Sequence, residues 1–151
     1  MATSKVTVWR SVHKEDYPNG TIVDGKAIAG VLYPSFNDQI INSGPRKGSV
    51  RLADVECFVS LGVGHVKTGG GTSLFDRNNV FGTKYWLSFE IPEGTVIPDS
   101  LLLTGPVWNE QRQANHYQIE CKTRVMRLDA FKGALDNLAR NAIVRSIALA
   151  K

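Results

Sequence analysis

The chain has 151 residues, of which 42% are hydrophobic and 21% are charged, proportions typical of one folded domain with its own core. No stretch approaches the roughly 18 uninterrupted apolar residues that a membrane span needs, and Met1–Val8 lacks the apolar segment of a secretory signal peptide. The net charge of +4 suits an anionic ligand, a nucleic acid or an acidic protein, and does not choose among them. We therefore expect a single domain, residues 1–151, without a membrane segment.

The first predicted elements are strands separated by irregular segments. Lys5–Val12 alternates β-branched and polar residues, which is typical of a strand. Tyr17–Pro45 is rich in Gly, Pro, Asn and Asp and predicts a loop excursion with room for one short helix. Ser49–Leu61 has mixed periodicity that fits a helix or a strand. Further strands are predicted at Lys84–Ile91, Leu101–Leu103 and Ala114–Cys121.

The C-terminal segment has a different periodicity. Apolar residues recur there at helical spacing, namely Phe131, Leu135, Leu138, Ala142, Ile143 and Ile147. With Asp129 as the N-cap, this pattern predicts an amphipathic helix from Asp129 to Ala148. Several strands and one long helix indicate an α+β fold rather than alternating βαβ units.

Two familiar kinds of site are not supported. Gly62–Thr68 lacks the glycine before lysine that a phosphate-binding loop requires. The three histidines, His13, His65 and His116, lie far apart without metal-ligand spacing, so no metal site is predicted. Cys57 and Cys121 lie in apolar strand-like contexts and are predicted to be buried thiols, with a disulfide as the less favoured alternative.

The first candidate site is the segment Gly69–Arg77, GGGTSLFDR. Three glycines allow a backbone to approach a ligand closely. The hydroxyls of Thr72 and Ser73 must then point to opposite faces of the following strand, so one can line a cleft while the other anchors a nearby loop. A glycine hairpin followed by an ordinary edge strand explains the segment about equally well.

Polar residues in two other strands are the remaining candidates. Strand periodicity places His116, Gln118 and Glu120 on one face, which offers a general base and hydrogen-bonding groups. A solvent-facing strand surface is the simpler alternative for this row. Arg10 stands in an apolar strand, where a guanidinium is either exposed or holds an anion.

Several of these segments together resemble a family of small bacterial toxins delivered by the type VI secretion system, whose fold is similar to that of ADP-ribosyltransferase toxins. The resemblance rests on Gly70–Arg77 (GGTSLFDR), Phe89–Pro98 (FEIPEGTVIP), Gln113–Ile119 (QANHYQI) and Leu135–Arg145 (LDNLARNAIVR), with fainter support from Val6–Arg10 and Tyr33–Phe36. It covers most of the second half of the chain and parts of the first.

The resemblance implies an α+β fold with a split, curved β-sheet that binds NAD as a substrate, followed by the long C-terminal amphipathic helix. The residues that it implies for NAD binding are Arg10, Gly71, Thr72, Ser73 and Phe75, and those implied for catalysis are Ser73, His116, Thr72 and Glu120. The broader enzyme class uses a carboxylate to stabilise positive charge on the ribose, where this toxin family has a histidine. Because His116 and Glu120 are separated by about 13 Å along a strand, we expect only one of them in the cleft, and we favour His116.

The function implied is an NAD-dependent toxin, an ADP-ribosyltransferase or an NAD glycohydrolase, that acts in the cytoplasm of the intoxicated cell. Its implied partners are a cognate immunity protein and an unidentified host target, protein or nucleic acid. Export through type VI secretion would need no signal peptide. The alternative from another class is a non-catalytic basic domain that inhibits a host protein or nucleic acid by binding it.

Overall fold

The computed structural model describes residues 2–151. The strands are β1 (Val8–His13), β2 (Ile22–Val23), β3 (Lys26–Ala27), β4 (Gln39–Ile40), β5 (Val50–Arg51), β6 (Cys57–Ser60), β7 (Val63–Lys67), β8 (Thr72–Phe75), β9 (Trp86–Ile91), β10 (Leu101–Asn109), β11 (Ala114–Cys121) and β12 (Val125–Arg127). A 3-10 helix spans Lys14–Asp16, and the α-helix α1 spans Leu128–Leu149. No helix among these residues is long and apolar enough to cross a membrane.

The main sheet is antiparallel, with strand order β10-β11-β8-β1-β9. Strands β1 and β9 pair along their full length, from Val8↔Ile91 to His13↔Trp86. Strands β1 and β8, in contrast, share the single register pair Trp9↔Phe75. The sheet therefore opens between β1 and β8, which is the split that the resemblance implied.

Helix α1 covers one face of this sheet and completes the core, so the predicted α+β architecture is confirmed. Its buried side chains are Phe131, Leu135, Leu138, Ala139 and Ala142. They pack in one cluster with sheet residues such as Val8, Leu74, Phe89 and Ile119. Burial of this apolar surface drives the association of helix and sheet.

Helix α1 begins one residue before the predicted Asp129, and the predicted N-cap is wrong by two residues. The N-cap is Arg127, in an extended conformation and without a capping side-chain hydrogen bond. Asp129 instead lies in the first turn, where its Oδ1 accepts from the backbone N–H of Ala130 at 2.7 Å. A carboxylate in the first turn is still favoured by the positive end of the helix dipole.

The segments between the main strands form short hairpins. Tyr17–Pro45 contains β2, β3 and β4 and not the short helix for which the sequence left room. Ser49–Leu61 contains β5 and β6, which is the strand alternative of the two considered. The predicted strand Leu101–Leu103 continues to Asn109. Both cysteines are free thiols as predicted, Cys121 buried and Cys57 half-buried.

Candidate active site

A cleft of about 660 Å³ opens where β1 and β8 diverge. This volume lies within the range of about 300–1,000 Å³ that small-molecule sites occupy. Its walls include Arg10 from β1, Ser73 and Phe75 from β8, and His116 from β11. Four residues from three strands thus meet at the split of the sheet.

The side chains of Ser73 and His116 are in direct contact inside this cleft. Ser73 and Phe75 point into it because Thr72 and Leu74, which alternate with them, are buried in the core. His116 Nε2 lies 3.1 Å from Ser73 Oγ, within hydrogen-bond distance. The Phe75 ring holds the imidazole by an edge-on contact with ring centroids 5.2 Å apart.

Burial also sets the charge of this histidine. It lowers the pKa of His116 below its ordinary value of 6.5. The imidazole is therefore neutral at pH 7 and presents one donor and one acceptor nitrogen. A neutral imidazole and a hydroxyl at 3.1 Å form a polar pair suited to binding ribose hydroxyls or moving a proton.

The Arg10 side chain is packed into the wall of the split and does not extend into the open cleft. Its Nη1 donates to the carbonyl of Ser73 at 3.3 Å, and its Nη2 donates to the carbonyl of Tyr33 at 3.0 Å. Burial lowers the Arg10 pKa, an effect that the charge of Asp54 opposes. The guanidinium thus connects strand β8 to the loop between β3 and β4 at the point where β1 and β8 diverge.

The chain matches a described family over nearly its whole length. Residues 2–147 match the Tse2 ADP-ribosyltransferase toxin family. The chain belongs to this family. It is also similar to Toxin Tse2 of Pseudomonas aeruginosa strain PAO1, with 29% identity over an alignment that covers 94% of this chain and 90% of that protein. The expectation of an NAD-dependent ADP-ribosyltransferase toxin is thereby confirmed.

Thr72 does not reach the cleft of the toxin with its side chain. Its side chain is fully buried, and its hydroxyl donates to the carbonyl of Leu32. The prediction that one of the two adjacent hydroxyls lines a cleft while the other anchors a loop is therefore confirmed: Ser73 lines the cleft and Thr72 is the anchor. The burial of Thr72 does not support a direct catalytic or NAD-binding role for its side chain. Thr72 is a positioning residue that ties β8 to the loop before β4.

Replacement of Thr72 by valine is expected to lower the free energy of unfolding by about 1–3 kcal/mol, because the buried Leu32 carbonyl loses its donor while the shape is kept. Chemical denaturation measures this change. The variant Thr72→Ser retains the hydroxyl and serves as the control for the hydrogen bond. If Thr72→Val kept full stability but lost NAD turnover, Thr72 would act in catalysis instead.

Gly71 has a structural constraint of its own. It is buried, and a Cβ built on it would lie 1.9 Å from the carbonyl oxygen of Ile119. A side chain is therefore excluded by the neighbouring strand β11, and the implied place of Gly71 at NAD stays a prediction. The neighbouring Gly70 is constrained in the same way by the carbonyl of Asp54, at 2.1 Å from its would-be Cβ.

Glu120 is not among the residues that line the cleft. It lies two positions after Gln118, the residue of β11 that pairs with Ser73. It accepts hydrogen bonds from Gln118 Nε2 at 3.0 Å and from Thr68 Oγ1 at 3.4 Å. Of the two candidates on β11, the structure thus brings His116 and not Glu120 to Ser73. The catalytic assignment of His116 stays a prediction.

Several residues that line the cleft were not predicted from the sequence. Its further walls come from the 3-10 segment, from the β4–β5 hairpin and from aromatic side chains: His13, Asp16, Tyr33, Gln39, Arg51, Asp54, Phe81 and Trp86. The first strand of the hairpin lies in the predicted loop excursion Tyr17–Pro45, and the second lies in Ser49–Leu61, which fitted a helix or a strand. No local pattern indicated which of its side chains would face the split. The one local feature that indicates a hairpin turn here is Gly44–Gly48, which is rich in Gly, Pro and basic residues.

Proposed function

We propose that this cleft binds NAD, with Ser73 and His116 at the ribose that carries nicotinamide, and that the toxin transfers ADP-ribose to a macromolecule in the cytoplasm of the cell it enters. The contact between Ser73 Oγ and His116 Nε2 carries the proposal. It occurs at the split of the sheet, in a cleft of about 660 Å³, in a member of an ADP-ribosyltransferase family.

The chemistry of the walls fits the parts of this substrate. NAD offers ribose hydroxyls, two planar rings and a diphosphate. The walls offer a hydroxyl and a neutral imidazole at Ser73 and His116, aromatic surfaces at Phe81 and Trp86, and guanidinium groups. Polar groups placed among aromatic walls are the usual composition of a small-molecule site.

In the reaction, the bond between nicotinamide and ribose C1′ breaks, nicotinamide leaves with the electron pair, and an acceptor nucleophile bonds to C1′ and loses its proton. Ser73 and the neutral His116 orient the ribose hydroxyls and stabilise the positive charge that develops on the sugar. Either the imidazole or the solvent takes up the acceptor's proton, depending on where the acceptor enters. Water as the acceptor gives NAD hydrolysis by the same groups.

Activity is expected to depend on the neutral form of His116. Because burial lowers its pKa below 6.5, turnover of NAD should be constant from pH 7 upward and fall as the pH drops below about 6.5. The measurement is kcat/KM against pH, with circular dichroism at each pH as the control for folding. A rate that rises on acidification would mean that the imidazolium is the active form.

Adenine-labelled NAD incubated with the toxin and a bacterial lysate tests the proposal. Mass spectrometry should find ADP-ribose attached to a protein or nucleic acid, and Ser73→Ala should remove the adduct. Free ADP-ribose as the sole product would identify an NAD glycohydrolase. Retained toxicity in a folded double variant, Ser73→Ala with His116→Ala, would favour inhibition by binding alone.

We also infer that a cognate immunity protein neutralises the toxin, because the chain belongs to a toxin family and its producer must be protected from it. The resemblance of the sequence to type VI toxins supports export by that system. Coexpression with such a protein should restore growth and block NAD turnover.

A further inference from the structure

The β4–β5 hairpin forms one rim of the cleft and has two different faces. Gln39 pairs with Arg51 and Ile40 pairs with Val50, so each pair shares a face. All four residues are exposed, but only Gln39 and Arg51 line the cleft. The hairpin therefore presents an amide and a guanidinium to whatever binds between β1 and β8.

The two arms of this hairpin are tied together at its base. Asp38 Oδ1 accepts from the N–H of Ala53 at 2.7 Å, and Asp54 Oδ2 accepts from the N–H of Ser35 at 2.8 Å. The N–H of Asp54 donates in turn to the carbonyl of Ser35 at 2.9 Å. These bonds keep the arms paired close to Arg51, which lies three residues before Asp54 and lines the cleft.

The basic side chains of the cleft differ in what they already bind. The Nη atoms of Arg10 donate to two backbone carbonyls, and its Nε is buried without a partner. Burial favours the neutral form of His116, and Nδ1 of His13 accepts a hydrogen bond from the backbone N–H of Glu15. Arg51 keeps 59% of its side chain exposed, and its nearest carboxylate oxygen, on Asp54, is 3.7 Å away. Between the two arginines of the cleft, Arg51 is thus the one whose donors are accessible to a ligand.

We propose that Arg51, with Gln39 beside it, binds the diphosphate of NAD, while Arg10 braces the split from behind. This inference rests on the proposed function. A guanidinium matches two phosphate oxygens with two parallel hydrogen bonds. Residues 39–51 contain no Asp or Glu, so no carboxylate within the hairpin competes with a phosphate for Arg51.

The carboxylate of Asp54 does not oppose this role. When Arg51 turns to a ligand, Asp54 keeps its hydrogen bond from Ser35 and its favourable charge interaction with Arg10. The interaction that Arg51 gives up is a partly exposed ion pair at 3.7 Å, which contributes little to stability. The free-energy cost of releasing Arg51 from Asp54 is therefore small.

Titration calorimetry with NAD, ADP and nicotinamide tests the assignment. Arg51→Ala should weaken binding of both NAD and ADP by about 10-fold or more, since a charge-assisted pair is lost. It should leave nicotinamide binding unchanged. Arg51→Lys should recover part of the affinity because it keeps the charge without the planar fork. Arg46→Ala, in the exposed turn of the same hairpin, is the matched control and should bind all three as the unmodified toxin does.

Three results would overturn the inference: Arg51→Ala binding ADP normally, nicotinamide binding falling by the same factor, or Arg46→Ala weakening ADP equally. The last would mean that the general charge of the hairpin acts, rather than Arg51. Failure of the unmodified toxin to bind NAD at all would instead refute the proposed function, so the two failures are distinguishable.

Discussion

Replacement of His116 by alanine is expected to slow nicotinamide release from NAD by at least about 100-fold and to abolish growth arrest. The reason is that the neutral imidazole both contacts Ser73 at 3.1 Å and provides the acceptor nitrogen of the cleft. Release of nicotinamide is followed by chromatography with purified protein. Thermal unfolding of the variant checks that the loss of activity is not a loss of fold.

Glu120→Ala is the informative comparison, since Glu120 shares the face of β11 with His116 but lies outside the cleft. It should keep toxicity and NAD turnover within about 3-fold, as expected for a surface change away from the reacting atoms. Loss of activity in Glu120→Ala with retention in His116→Ala would reverse the assignment and place a carboxylate at the ribose.

Replacement of Gly71 by alanine is expected to destabilise the toxin by at least about 3 kcal/mol, the upper part of the range for overpacking. The new Cβ would lie 1.9 Å from the carbonyl oxygen of Ile119, so the backbones of β8 and β11 would have to separate. This change also moves Ser73, which is two residues away. The free energy of unfolding in urea measures the effect.

Gly133→Ala is the matched control because it adds the same methyl group where there is room for it. Gly133 is exposed in α1, and a Cβ there would meet no heavy atom within 4 Å. Alanine should stabilise the helix at this position by about 0.5–1 kcal/mol. If Gly71→Ala were as stable as the unmodified toxin, the close approach of β8 to β11 would not constrain the site.

Local periodicity was sufficient to predict which side chains share a face. Alternation in β11 correctly separated His116 from the buried Tyr117 and Ile119. In β8 it required Thr72 and Ser73 to face opposite ways. Which of the two faces the core depends on the position of α1, and alternation contains no information on that. Both hydroxyls therefore remained site candidates until the structure was known.

Features that depend on distant contacts could not be predicted from the pattern. The glycines before β8 indicated a flexible approach to a ligand, whereas Gly71 is required by a carbonyl 48 residues further along the chain, that of Ile119. The two backbone carbonyls that Arg10 binds at the split belong to Ser73 and Tyr33, which are 63 and 23 residues away along the chain, so no local pattern predicts these bonds. Its implied role in NAD binding stays a prediction. The role of Arg51 follows from a short hairpin whose strands have two residues each, too few for a recognisable period.

The claim that NAD binds beside Ser73 and His116 is tested most directly by NMR of the three histidine rings during titration with NAD. The ring signals of His116 should shift and saturate, while those of His65, which lies outside this cleft against Phe58, should not move. Unchanged His116 signals at NAD concentrations that support turnover, or shifts confined to His65, would contradict the account.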